Sequence, residues 1–222
     1  MSCDPNIFNN IETNIYPESF GGILICGINW GGDESDMVLE ESNYKTFFSN
    51  KKQYDWKFRN RILKWFELWG HKLSTSENDI GKLEISISYT NWLDSKSKNF
   101  EGKNIYSECV INNQLFFNIL DFLKPRLIFF MSNQLLEAFN SKVCRPKVNE
   151  ILGNQIRQKN YLQHNIINDE KKLRRFKIGF QSFEKCDIIS LPHPSGSKGL
   201  VDLYIGSFKD DIGYYINKWG YN

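Results

Sequence analysis

A chain of 222 residues, 41% hydrophobic and 15% aromatic, is long enough to bury a sizeable core and too apolar to remain disordered. With 28 basic and 26 acidic residues the net charge is only +2, which excludes bulk charge as a sign of nucleic-acid binding and leaves local patterning to carry any such signal. Five scattered cysteines (Cys3, Cys26, Cys109, Cys144 and Cys186), with no Cys-x-x-Cys pair, argue against a disulfide framework, a zinc site or an iron–sulfur cluster.

Residues 1–10 are polar and include Asp4 and Pro5, so no signal peptide is expected there. No apolar run reaches the length of a membrane span. Residues 22–28 (GILICGI) form a short continuous apolar run, the pattern of a strand buried on both faces. Residues 33–42 are acidic and read as a loop. Residues 54–69 place Trp56, Ile62, Leu63, Trp65, Phe66 and Trp69 at helical spacing. Lys57, Arg59, Arg61 and Lys64 lie on the other face, and Gly70 closes the helix.

Residues 82–90 (KLEISISYT) alternate and are β-branched, which predicts a second strand ending in Thr90-Asn91-Trp92. Residues 107–123 repeat apolar side chains as one helix. Pro125 opens a third strand over 126–131, and Ser132 is placed to cap a helix over 133–139. Residues 140–185 carry the weakest pattern, with a basic run at Lys171, Lys172, Arg174, Arg175 and Lys177. Residues 176–183 read as an extra strand or hairpin arm. A fourth strand is expected over 187–191, then a final helix over 203–219 interrupted by Gly206 and Gly213.

Strands alternating with helices imply a parallel sheet covered on both faces. The expected fold is α/β: a single domain over 1–222, a three-layer α/β/α sandwich around a central four-stranded, mostly parallel sheet. Such sheets bind ligands outside the carboxyl ends of their strands. Three polar side chains are expected there. Asn29 follows the first strand in Gly27-Ile28-Asn29-Trp30-Gly31-Gly32. Asn91 closes the second. His193 follows the fourth in Leu191-Pro192-His193-Pro194-Ser195-Gly196. An Asn can hold a water or read the edge of a pyrimidine, and a His can donate a hydrogen bond to a departing anion. Proline on both sides of His193 restricts its backbone.

These segments together resemble the uracil-DNA glycosylase superfamily. Gly-Ile-Asn after the first strand, Thr-Asn after the second, Lys124-Pro125-Arg126-Leu127-Ile128 before the third, and His-Pro-Ser after the last occur in the family's order. The likeness runs over roughly residues 22–219, with detailed similarity confined to the motifs. The resemblance implies cleavage of the bond between deoxyribose and a flipped base, without a cofactor or metal, by a monomer acting on DNA and not on membranes. It implies that Asn29 positions the attacking water and that His193 donates to the base as charge develops. It assigns Gly27, Ile28, Trp30, Gly31 and Asn91 to the base pocket. Tyr44, Phe47, Phe48 or Trp30 would supply the stacking ring, Tyr44 standing first among them. It gives Ser195, Ser197 and Lys198 contacts to DNA, and makes Leu200 either a minor-groove wedge or a core residue starting the last helix.

The chain departs from the family in two places. Trp30 stands where proline is usual. Gly31 stands where strictly uracil-specific enzymes carry the tyrosine that blocks a 5-substituent, so a 5-modified pyrimidine has room. The expected substrate is therefore uracil or a mismatched base, as in repair, or a bulky 5-modified cytosine of phage DNA, as in antiviral defence. A non-catalytic DNA-binding protein on the same fold is the alternative. The cysteine pattern and the absence of a leader suggest a soluble protein of the cytoplasm.

Overall fold

Five consecutive buried residues make strand β1 (Ile23–Gly27), whose alternate side chains enter two separate cores. Ile23 and Ile25 point to one face of the sheet, and Leu24 and Cys26 to the other. The computed structural model describes residues 19–29, 46–49, 54–95, 104–168, 171–172 and 176–221. In chain order the remaining elements are α1 (Lys57–Leu68), α2 (Lys82–Ile85), β2 (Ile87–Asn91), α3 (Ile105–Ile111), α4 (Gln114–Leu123), β3 (Leu127–Phe130), α5 (Asn133–Phe139), α6 (Arg145–Leu152), β4 (Gln155–Leu162), β5 (Ile167–Asn168), β6 (Lys171–Lys172), β7 (Ile178–Phe183), β8 (Asp187–Ser190), α7 (Asp202–Gly206) and α8 (Lys209–Trp219).

The α/β class is as expected, but the sheet has six strands rather than four, in the order β2-β1-β3-β8-β7-β4. The four predicted strands are its parallel part, with β1 between β2 and β3 and β3 beside β8. The two additional strands are antiparallel, β7 against β8 and β4 against β7. Residues 176–183 thus contribute a full strand, buried along its length. Strand β4 (QIRQKNYL) is an edge strand with mostly polar, part-exposed side chains. It lacks the apolar alternation that marks a half-buried strand. β5 and β6 pair separately as a short hairpin.

Three other expectations need correction. Residues 82–85 form a helical turn, because the Glu84 carboxylate accepts from the Gly81 N–H at 3.0 Å and the Ser74 N–H at 2.6 Å and winds the chain before β2 starts. The helix expected over 107–123 is two, broken at Asn112-Asn113, where Asn113 donates its side-chain N–H to Val110 O. The last helix is also two, α7 and α8, but Gly213 lies within α8, where the Trp69 carbonyl would stand 3.2 Å from a Cβ.

One core joins α1, α7 and α8 to the sheet through Ile62, Trp65, Phe66, Tyr204, Ile205 and Ile212. The other joins α3 to α6 through Cys109, Phe116, Leu120, Leu135, Phe139 and Val148. Helices therefore cover both faces. Ser132 caps α5 as expected, its hydroxyl accepting from Gln134 N–H. Cys26, Cys109, Cys144 and Cys186 are free buried thiols, and burial raises the pKa of each. Among the described residues no helix is long and apolar enough to cross a membrane.

Candidate active site

At the carboxyl end of β2, Asn91 stands level with Gly27 of β1. The two approach so closely that a Cβ on Gly27 would sit 2.0 Å from Asn91 Oδ1. Only glycine lets the amide occupy this place. Asn91 is 3% exposed, and its Oδ1 accepts from the Tyr89 hydroxyl at 3.3 Å. Its Nδ2 is buried and meets no hydrogen-bond partner among the described residues. A buried donor left unmet costs about 1–3 kcal/mol, so Asn91 Nδ2 is a group that a bound acceptor would satisfy.

Tyr89 lies two residues before Asn91, on the same side of the strand. Phe47 stacks on its ring at 4.5 Å, and Phe58 of α1 packs against it at 5.4 Å. Phe58 also packs against the imidazole of His193 at 5.7 Å. One chain of contacts thus joins the end of β2 to the loop after β8, running from Asn91 through Tyr89 and Phe58 to His193.

The backbone around His193 sets its protonation. Gly196 N–H donates to Nδ1 at 3.0 Å, and the Ser195 hydroxyl lies 3.3 Å from the same atom. Nδ1 therefore carries the lone pair, and the proton of the neutral ring is on Nε2. Gly196 eases this approach, because a Cβ would stand a tight 3.1 Å from Nδ1. Burial pushes the His193 pKa down to about 4, so the ring is neutral at physiological pH. A neutral ring with its proton on Nε2 is a hydrogen-bond donor that carries no positive charge.

The loop that follows is held from α1. Arg61 donates from Nη1 to Pro194 O at 2.8 Å, from Nη2 to Leu200 O, and from Nε to Asp202 Oδ1 at 3.3 Å. Trp65 Nε1 donates to the same Asp202 oxygen at 3.1 Å. The exit of β8 is fixed from the other side, where the Ser190 hydroxyl donates to Asn133 Oδ1.

The other predicted site residues are placed as follows. Asn29 is half-buried two residues beyond β1, where the Ile28 carbonyl accepts from Leu93 N–H at 2.9 Å. Ile28 itself faces the core on the other side of the sheet. Ser195 and Lys198 are exposed and Ser197 is half-buried. Leu200 is 5% exposed and packs in the core, so it takes its core role and does not project as a wedge; Leu203, 55% exposed on α7, is the apolar side chain that projects after this loop. Phe47 and Phe48 are fully buried, with Phe47 against Tyr89. Trp30, Gly31, Gly32, Tyr44 and the acids Asp33, Glu34 and Asp36 lie outside the described residues, as do Arg174 and Arg175.

The cationic face expected on α1 is also largely occupied. Arg59 is buried beneath Tyr54 and donates to Phe48 O, Arg61 holds the loop, and Lys64 pairs with Glu67 at 2.7 Å. Of the basic run, Lys171 and Lys172 lie in β6, and Lys177 Nζ stands 5.8 Å from the centre of the Tyr161 ring.

Tyr89, Phe58 and Arg61 were not among the predicted site residues. The period of two along β2 links Tyr89 to Asn91 and could have found it. No local signal marks Arg61, whose loop contacts are more than a hundred residues away in sequence. Two cavities lie apart from the cluster: one of about 180 Å³ beside Lys124 and Lys185, and one of about 270 Å³ between Arg157 and Tyr215. Neither has Asn91 or His193 in its lining. The first lies by residues just before β3 and β8, at the opposite end of the sheet from the candidate site. Among the described residues no cluster of His, Cys, Asp and Glu is suited to hold a metal ion. Comparison with models of known protein families finds no match, and comparison with curated proteins finds no relative.

Proposed function

We propose that the chain is a DNA N-glycosylase, which hydrolyses the bond between a flipped pyrimidine and its deoxyribose and leaves an abasic site. The observation that carries this reading is the unmet Asn91 Nδ2 donor, joined through Tyr89 and Phe58 to a neutral His193 with its proton on Nε2. Two donors and no fixed charge suit a base that enters neutral and leaves as an anion.

In this mechanism Asn91 Nδ2 donates to an acceptor on the edge of the base. As the C1′–N bond lengthens, its electron pair moves onto the base, and negative charge collects on the exocyclic carbonyl oxygen O2, which accepts from His193 Nε2–H. A donor aimed at developing charge lowers the barrier by about 3 kcal/mol. Asn29 holds the water that adds to C1′ of the oxocarbenium sugar. The water loses a proton, and the departing base gains one. Water is the only co-reactant, and no cofactor enters. Ser195, Ser197 and Lys198 face the DNA backbone from the loop, and Leu203 replaces Leu200 as its apolar contact.

The substrate is uracil or a mismatched base, or a cytosine enlarged at C5 as in some phage genomes. The second option makes the protein a defence enzyme, and it rests on the absence of a blocking side chain at Gly31 and Gly32. The chain acts as a cytoplasmic monomer. Incubation with uracil-containing, mismatched and 5-modified DNA, followed by alkaline cleavage at abasic sites, tests the reading. Release from at least one DNA, reduced on the order of a hundredfold or more by His193→Ala, is expected. Binding without release from any of these DNAs would favour the non-catalytic alternative.

A further inference from the structure

Arg61 stands outside the cluster that would touch a base, yet it donates two long-range hydrogen bonds to the His193 loop. Its planar guanidinium reaches Pro194 O at one end of the loop and Leu200 O at the other, while Nε reaches Asp202 Oδ1. Between those anchors the chain folds back on itself, with Ser197 N–H donating to His193 O at 3.1 Å and Leu200 N–H to Ser197 O at 3.1 Å. The closed loop aims Gly196 N–H at His193 Nδ1. A rigid fork can hold two carbonyls at a fixed separation, whereas an ammonium holds one point.

We propose that Arg61 is a positioning residue for His193: by tying both ends of the 194–200 loop to α1, it fixes the backbone amide that keeps the imidazole proton on Nε2. The catalytic consequence rests on the proposed glycosylase reading, but the effect on the ring does not. The groups facing His193 are the Phe58 ring from α1 and Ser195 and Gly196 from its own loop. Asp202 and Arg61 are paired with each other at the loop base. Loosening the loop therefore changes the ring through the amide and through access of water.

Arg61→Lys keeps the charge and loses the fork, and Arg61→Gln loses both. The nitrogen-15 spectrum of the His193 ring, recorded against pH, reads tautomer and pKa directly. Wild type is expected to show Nε2–H alone and a midpoint near 4. Both variants are expected to show mixed tautomers and a midpoint moved up by about one unit or more, toward the ordinary value. On a DNA that wild type cleaves, kcat falls on the order of tenfold to a hundredfold with KM changed much less, and the acid limb of the rate profile rises with the midpoint. Gly196→Pro removes the amide donor while leaving Arg61 in place, and it is expected to reproduce the change of tautomer.

Unchanged tautomer and midpoint in folded Arg61 variants would overturn the proposal. So would failure of both variants to fold, which would make Arg61 a folding residue. Absence of base release by wild type, with the spectral change present in the variants, would remove the glycosylase reading and leave the positioning role standing.

Discussion

Strand β8 carries a buried polar site at each end, and the two are opposites. At its start, Asp187 is 4% exposed and fully engaged. It accepts from the Ser182 hydroxyl at 2.5 Å, Lys218 Nζ at 2.9 Å and Trp219 Nε1 at 2.7 Å. Beyond its end, His193 is linked through Phe58 and Tyr89 to Asn91, whose buried Nδ2 donor meets no partner among the described residues. The first site is closed, and every donor around the carboxylate serves to hold β7, β8 and α8 together. The second holds its groups in place by their far sides, Oδ1 on Tyr89 and Nδ1 on Gly196, and leaves Nδ2 and Nε2 to donate. The same kinds of interaction thus make a structural joint at one end of a strand and a poised site at the other.

Substitutions at the two ends should separate stability from activity. Asp187→Ala strands a lysine, a buried hydroxyl and a half-buried indole N–H, and it is expected to lower unfolding free energy by about 3 kcal/mol in urea titrations. Gly27→Ala is expected to cost about 1–3 kcal/mol and to abolish base release, because its methyl group displaces the Asn91 amide. Asn91→Ala removes an unsatisfied donor, and its stability should change by less than about 1 kcal/mol while base release falls on the order of a hundredfold. A stability loss for Asn91→Ala as large as that for Asp187→Ala would erase the contrast.

A further expected effect is on pH dependence. His193 has a folded pKa of about 4, below the ordinary 6.5. Between those values the unfolded chain binds a proton that the folded chain does not, so this residue makes stability fall as pH drops from 6.5 to 4 and level off below. Above 6.5 both states are neutral and its contribution is constant. Urea midpoints at pH 4.5 and 7 should therefore differ less in His193→Gln than in wild type.

The parallel half of the sheet was readable in the sequence because β1, β3 and β8 are apolar runs bounded by breakers, and α5 has its Ser132 cap. Strand β4 was hidden because its order comes from pairing with β7 across a register shift, not from its own side chains. The turn of helix at α2 was hidden because Leu83, Ile85 and Ile87 alternate as in a strand, and the Glu84 contact to Gly81 and Ser74 overrides that pattern. At the candidate site the small-residue loops marked Asn29 and His193, and Asn91 was marked by its place at the end of the second strand. The sequence could not reveal the partners that orient those groups. Phe58 acts through packing, Tyr89 through its place on a strand face, and Arg61 through contacts remote along the chain.

The central claim is that the Asn91 amide and the His193 imidazole serve one bound base. Titration of nitrogen-15-labelled protein with free uracil, cytosine and 5-hydroxymethylcytosine, following the Asn91 side-chain amide and His193 Nε2, tests it directly. With at least one of these bases both signals should move together along a single binding curve. Movement of one without the other, or of neither with any of the three, would contradict the account.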